Sequence, residues 1–452
     1  MEENKKSEYY GKAIGPWIPM LFMIVGMVVS TVTRTGGLQR FCLLAFISLA
    51  LGFFLMKDKK KFGQVSLKGL QNPMLGTIVM AYLMAGVLSQ LLRQSGLINS
   101  LILVVAKLDL NVGFLPLVGF ITCMLISTSC GTSTGSVAAV APVLIPLAAS
   151  LQVDVGLMCG AMISGAIFGD NVAPISDTTI SSALTQEAQV SDVVRTRLPF
   201  AATSAVISAV LFVVMGLKMS SGGAAHIVLD NAGFKPLVLL VLPILMVFMM
   251  RRGWDLVGTL IVCNVLGVVL NLVLGCISPD AMISAEGPVI AGMVGMLQLV
   301  LYVMLLFQVL EALISSGAFD KLGEQLMKVC KTPKSGEIVC YGVSVLGTAA
   351  AGGSGVAIMF FGSLVRKITK TFNIDRCRGA NILDGVACGV TGLLPYGNPV
   401  LVSLGVVLTL ENFNPDFSFL NIMPYTFHCW GLLIIFLLSI LTGIGRKFET
   451  EE

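Results

Sequence analysis

The chain has 452 residues, 56% of them hydrophobic and only 12% charged, against roughly 25% charged in soluble domains. With a mean hydropathy of +0.90, this excludes an ordinary cytosolic enzyme, a disordered chain, a coiled coil and a secreted disulfide scaffold. Too little polar sequence exists to cover a core of this size, so lipid is the solvent for most of it, and the few charges must be placed with care.

A spanning helix needs about 20 mainly apolar residues. In chain order such stretches fall near 16–33, 39–56, 74–92, 156–176, 198–217, 236–250, 255–276, 289–314, 379–409 and 422–444. Two more apolar runs, about 111–150 and 338–365, are interrupted mid-way by Gly/Ser/Thr clusters. Each reads as a re-entrant hairpin, whose non-helical tip is tolerated at membrane depth only when packed in protein or lining a wet cavity. The start, with Glu2, Glu3, Lys5 and Lys6, is too acidic for a signal peptide. Ten alternating spans from a cytoplasmic start put 23 of the 29 basic residues at the inner face, which predicts that both termini are cytoplasmic. All the basic residues, Arg197 among them, fall at span ends or loops in this scheme.

A shift of 221 residues lays the chain partly on itself: Ser95-Gly96 on Ser316-Gly317, Gly131 on Gly352, Ser133 on Ser354, Asp154 on Asp375, Pro174 on Pro395 and Asp177 on Asn398. The expected architecture is therefore an all-α polytopic membrane protein, with about ten transmembrane helices plus two re-entrant hairpins in an inverted-topology repeat. Its parts are N-terminal scaffold helices over 1–69, repeat one over 70–218, linking scaffold helices over 219–288, repeat two over 289–444 and a cytoplasmic tail over 445–452.

Four clusters carry chemistry. The first hairpin tip, Ser127 to Gly135, offers hydroxyls and freed carbonyls to a hard cation, chiefly through Thr132, Ser133 and Thr134. The stretch Gly169-Asp170-Asn171-Val172-Ala173-Pro174-Ile175-Ser176-Asp177-Thr178-Thr179 puts two carboxylates beside a proline that breaks the helix. Acids at membrane depth are functional by default. Asp170 and Asp177 are the Na+ candidates, with Asn171, Thr178 and Thr179 as neighbours and no Lys or Arg in the motif. The second tip supplies Ser354, and the ninth span supplies Asn381, Asp384 and Asn398. Glu311 is expected to pair with a lysine as readily as to stand alone, and Gln298, Gln308, Asn264 and Asn271 to bond neighbouring helices. The eleven cysteines form no CxxC pair, and His226 and His428 are too few for a metal site.

These motifs resemble those of the NhaC-type Na+/H+ antiporter family. The resemblance rests on Ser164-Gly165-Ala166-Ile167-Phe168-Gly169-Asp170-Asn171 followed by Pro174 and Ser176-Asp177-Thr178-Thr179, on the Gly131-Thr132-Ser133-Thr134-Gly135 tip with Ala141-Pro142, and on Arg378-Gly379-Ala380-Asn381-Ile382-Leu383-Asp384. It implies membership of a wider ion-transporter superfamily, with a scaffold, a mobile transport domain, two hairpins and a homodimer in a bacterial-type plasma membrane. It also implies Na+/H+ exchange by alternating access. Some relatives instead couple Na+ and H+ to small carboxylates, as in malate/lactate exchange, or resemble amino-acid carriers. The second tip departs from the first in lacking threonine, and Cys130 stands where a small or apolar residue is expected. No cofactor is expected beyond Na+ as transported or coupling ion. No nucleophile–base constellation suggests an enzyme, and the partners are lipid and a small solute rather than nucleic acid.

Overall fold

Apolar runs punctuated by glycine and proline become helices throughout the computed structural model, which describes residues 7–11, 14–33, 38–107, 111–174, 176–219, 233–410 and 417–449. Glu2, Glu3, Lys5, Lys6, Ile175 and His226 lie outside the described residues. The first half comprises α1 (Ile18–Val32), α2 (Leu38–Leu55), α3 (Lys59–Leu70), α4 (Pro73–Gln94), α5 (Leu97–Lys107), α6 (Leu115–Cys130), α7 (Ser133–Ser150), α8 (Val155–Val172), α9 (Asp177–Thr185) and α10 (Val190–Met219). The second comprises α11 (Val241–Arg251), α12 (Leu256–Leu274), α13 (Pro279–Ile283), α14 (Pro288–Ser315), α15 (Ala318–Met327), α16 (Pro333–Ala351), α17 (Ser354–Thr371), α18 (Arg376–Thr391), α19 (Asn398–Leu408), α20 (Phe419–Ile422) and α21 (Phe427–Thr442).

Six of these are long and apolar enough to cross a membrane: α4, α7, α8, α10, α12 and α14, the last counted together with α13. A seventh crossing forms if α20 and α21, bent by 55° at their junction, are one span. Several expected spans are interrupted for a physical reason. The stretch 379–409 is two helices, because Gly397 and Pro399 stand at the start of α19 and proline supplies no backbone donor to continue a helix. The stretch 156–176 breaks at Ala173-Pro174, and helix resumes at α9. The stretch 236–250 opens as a 3-10 turn over Lys235–Leu240 before α11.

The 221-residue offset survives in the backbone. Helices α7 and α17 start at Ser133 and Ser354 and end at Ser150 and Thr371. Gly131 and Gly352 both close the preceding helix in the left-handed region, at φ +70° and +74°. Gln152 and Asn373 share the same rare positive φ, 56° and 51°. Asp154 and Asp375 each cap the next helix by accepting from a backbone N–H three residues on. Ser95 and Ser316 make the same local bonds before α5 and α15.

The two halves of the chain are interlocked. Helix α7 packs on α19, and α9 packs on α17, the pair at the matching offset; α8 meets α18 and α10 meets α21. Helices α2 and α3 lie on α14, and α12 lies on α4. Helices α4 and α14 cross backbone to backbone, where a Cβ on Gly86 would stand 2.4 Å from the Gly292 carbonyl oxygen. Small residues at such crossings are the usual means of helix association in lipid. Asn264 donates across helices to the Met84 carbonyl at 2.9 Å, and Ser66 donates to Gln308, as interhelical bonds should. Asn271 instead bonds back to Gly267 in its own helix.

Candidate functional site

Two interruptions meet at one place. Helix α6 ends at Gly131, whose N–H returns to the Ser127 carbonyl at 2.7 Å. Thr132 then caps α7 from an extended backbone, accepting from Gly135 N at 3.3 Å. This leaves Ser133 at the tip, where its Oγ donates to Asp170 Oδ2 at 2.7 Å. On the other side α8 stops at Val172, and Ser176 caps α9 while its Oγ donates to Asp170 Oδ1 at 2.5 Å. The Asp170 carboxylate is buried and held by one hydroxyl from each break. Beside it Asn171 is fully buried, and among the described residues neither of its side-chain polar atoms has a hydrogen-bond partner.

Close packing of α6 on α8 sets this geometry. A Cβ on Gly169 would lie 2.3 Å from Thr128 N and 2.6 Å from the Ser127 carbonyl carbon, both backbone atoms that cannot step aside. Ser127 Oγ also donates to the Ala166 carbonyl at 2.6 Å. Gly169→Val should force the tip away from Asp170 and cost about 3 kcal/mol or more, the upper range for overpacking. A thermal melt in detergent checks this, and an unchanged midpoint would contradict it.

A second cluster lies next to the first. Arg197, on α10, is fully buried and ion-pairs with Asp384 of α18 through Nη1 and Oδ2. Nη1 also reaches the Asn171 carbonyl at 2.6 Å and Thr179 Oγ1 at 3.2 Å. Nε donates to Asn381 Oδ1 at 3.1 Å, and Nη2 to Ser182 Oγ at 3.3 Å. Asn381 is fixed in turn by donating to Thr196 at 2.8 Å. The Cys388 thiol donates to Asp384 Oδ1 at 3.0 Å. Thr179 Oγ1 stands 3.4 Å from both the Asp170 carbonyl oxygen and Asp384 Oδ2, joining the two clusters.

The expected residues separate accordingly. Asp170, Asn171, Ser133, Thr178, Thr179, Asn381 and Asp384 come together; Thr178 is buried with its hydroxyl 3.0 Å from Ser176 Oγ. Thr132 and Thr134 flank the tip, half-buried. Asp177 is exposed in the first turn of α9, while Asp170 is buried, because the break at Pro174 cancels the shared face that a seven-residue spacing would give an intact helix. Ser354 and Asn398 open α17 and α19 at the matching places of the second half, and among the described residues no hydrogen bond joins them to Asp170.

One expectation needs correction. Not every basic residue lies at a span end or loop, and the interior acids are not all free of basic partners. Arg197 sits well inside α10, which runs unbroken from Val190 to Met219. An apolar run read as starting at residue 198 pushes it into a loop; continuing the helical pattern back through Thr196, Val193 and Val190 would have kept it inside. Among the described residues no group of three or more His, Cys, Asp or Glu could hold a metal ion. The chemistry on offer is that of a single carboxylate with hydroxyl, amide and carbonyl oxygens, the donors that hard cations prefer. A cavity of about 1040 Å³ lies at the opposite end of α8, lined by Arg93, Gln152, Asp154, Asn421 and Tyr425 among others.

Sequence comparison adds relatives to this geometry. Residues 12–217 match the Na+/H+ antiporter family. Over 189 residues the chain is 28% identical to the malate-2H(+)/Na(+)-lactate antiporter of Bacillus subtilis (strain 168), a match covering 42% of this chain and 39% of that one. It is 31% identical over 157 residues to the Na(+)/H(+) antiporter NhaC of the same organism, covering 35% and 34%. It is 30% identical over 110 residues to the arginine/ornithine antiporter ArcD of Halobacterium salinarum, covering 24% and 22%. The matched stretches thus span well under half the length of these relatives.

Proposed function

We propose that this chain, which over part of its length resembles the NhaC-type Na+/H+ antiporters, exchanges Na+ for H+ by alternating access, with the Asp170 carboxylate as the group for which the two ions compete. One observation carries this reading. Four acids are buried among the described residues: Asp170, Glu311, Glu337 and Asp384. Glu311 pairs with Lys68 at 2.6 Å, Glu337 with Arg378 and Arg446 at 2.8 and 2.6 Å, and Asp384 with Arg197. Asp170 alone of the four has no ion pair among the described residues; its hydroxyl partners are Ser133 and Ser176. A buried carboxylate without a countercharge is costly in an apolar interior, and a proton or a bound Na+ relieves that cost.

In this proposal Na+ takes oxygens from Asp170, Ser133 and Ser176, with the orphaned Asn171 amide oxygen and carbonyls freed at the break completing its shell. A proton arriving on Asp170 removes the charge and releases the ion. Ser133 and Ser176 belong to the hairpin and the broken span respectively, so the site travels only if these move as one piece. We infer that the two copies are inverted in the membrane, that α6–α7 and α16–α17 are re-entrant hairpins, and that residues 1–69 and 219–288 form a scaffold that also joins two protomers. The basic bias supports a cytoplasmic position for both termini, and the resemblance to bacterial antiporters supports a bacterial-type plasma membrane.

A second reading is a Na+- or H+-coupled carrier of a small carboxylate or amino acid, favoured by the activities named for the Bacillus and Halobacterium relatives. Reconstituted vesicles separate the two. An imposed pH gradient should drive ²²Na+ uptake with no organic solute present; uptake that requires malate, lactate or arginine would favour the second reading. In the same assay Asp177→Asn should keep most of the flux, since the side chain is exposed and outside the cluster. Loss of flux comparable to that of an Asp170 variant would contradict the assignment of the site to Asp170.

A further inference from the structure

Among the described residues Arg197 is the one basic group that touches the proposed ion site, and its contacts leave it no freedom to act as a mobile charge. Its guanidinium is fully buried and bonds Asp384, the Asn171 carbonyl, Asn381, Thr179 and Ser182 at once. We infer that Arg197 is a tethered cation that occupies Asp384, so that the site offers a mobile cation one free carboxylate instead of two. Arg197 is in this sense a positioning residue. It touches no transported ion but fixes how many can bind, and through the Asn171 carbonyl it holds the end of α8 beside Asp170.

The electrostatics are those of a three-charge set. With Asp170 and Asp384 ionised and Arg197 charged, the set carries a net charge of about −1, which one Na+ neutralises. Removing the Arg197 charge leaves −2 and frees a second carboxylate, flanked by the hydroxyls of Thr179 and Ser182. Removing the Asp384 charge leaves zero and sets an uncompensated guanidinium beside Asp170. Removing both restores −1. A merely structural role for the pair predicts otherwise: each single change and the double change would all damage the site.

The inference rests on Asp170 as a cation site, and the test keeps the two claims apart. Equilibrium ²²Na+ binding is measured on the purified full chain at alkaline pH. Arg197→Gln should bind one more Na+ per chain than the wild type, and Arg197→Lys should bind the same number as the wild type. Asp384→Asn should weaken Na+ binding by about tenfold, the scale of one nearby unit charge in a protein interior. Arg197→Gln combined with Asp384→Asn should return the affinity to near the wild-type value. Equal site numbers in Arg197→Gln and wild type, or a double variant as weak as Asp384→Asn, would overturn the inference. If Arg197→Gln does not fold, Asp384→Asn against the double variant decides it. A wild type that binds no Na+ would contradict the antiporter reading alone, because the extra site is judged as a difference from wild type.

Discussion

Asp170→Asn protein is expected to insert, fold and lose Na+-coupled exchange by about 100-fold or more. The change is nearly isosteric, and the new amide can still accept a hydrogen bond from Ser133 or Ser176. What disappears is the negative charge. A Na+ ion entering the same oxygens would then be a buried charge without a partner, and losing one member of a buried charge pair costs about 3–5 kcal/mol. Folding should not suffer, because Asp170 has no basic partner to strand, and replacing an uncompensated buried carboxylate with a neutral group is neutral or stabilising. The combination of lost flux and an unchanged or raised melting midpoint separates a transport role from a structural one. A variant that exchanges Na+ at the wild-type rate would remove Asp170 from the mechanism.

Glu337→Gln is expected to act in the opposite way, through stability. Glu337 is fully buried near the start of α16. Its two oxygens receive Arg378 Nε at 2.8 Å and Arg446 Nη2 at 2.6 Å. Arg378 is itself buried and donates to Ser439 at 2.7 Å, and Arg446 reaches the Ile440 carbonyl at 2.9 Å. This knot ties α16, α18 and the end of α21 together. Beside it the chain end lies along Asn373 to Asp375, with Glu449 N bonded to the Asn373 carbonyl at 2.7 Å and the Glu449 carboxylate taking Arg366 and Arg376. Neutralising Glu337 strands two arginine charges, which should lower stability by about 3–5 kcal/mol and appear as a melting midpoint several degrees lower. Arg446→Met should cost less, because Glu337 keeps Arg378. An unchanged midpoint for Glu337→Gln would show that the knot is not structural.

The contrast between these two acids explains how much the sequence could say. Asp170 was legible because an acid beside a proline inside an apolar run has few readings, and Gly131 and Ser133 because a polar tip interrupts an otherwise apolar segment. The offset of 221 residues was legible in a handful of glycines and aspartates, and the backbone repeats it in helix ends and positive φ angles. Apart from a lysine for Glu311, the partners of the buried acids were not legible. Asp384 finds Arg197 from 187 positions away, and Glu337 finds Arg446 from 109. Only tertiary packing brings such groups together, and a charge near a span end looks the same in sequence whether it meets water or a buried acid. Nor was the exposure of Asp177 legible: the break at Pro174 was, but not the direction in which the next helix would turn its first residue.

The central claim is that Na+ and a proton exclude each other at one carboxylate. Counting the protons released when Na+ binds tests it most directly, by calorimetric titration of the purified chain in buffers of different ionisation enthalpy as the pH is lowered. The account predicts that release climbs toward one proton per Na+ at acidic pH, with apparent Na+ affinity falling in step, and that Asp170→Asn abolishes both effects. Na+ binding that releases no protons at any pH, or release that persists in Asp170→Asn, would contradict it.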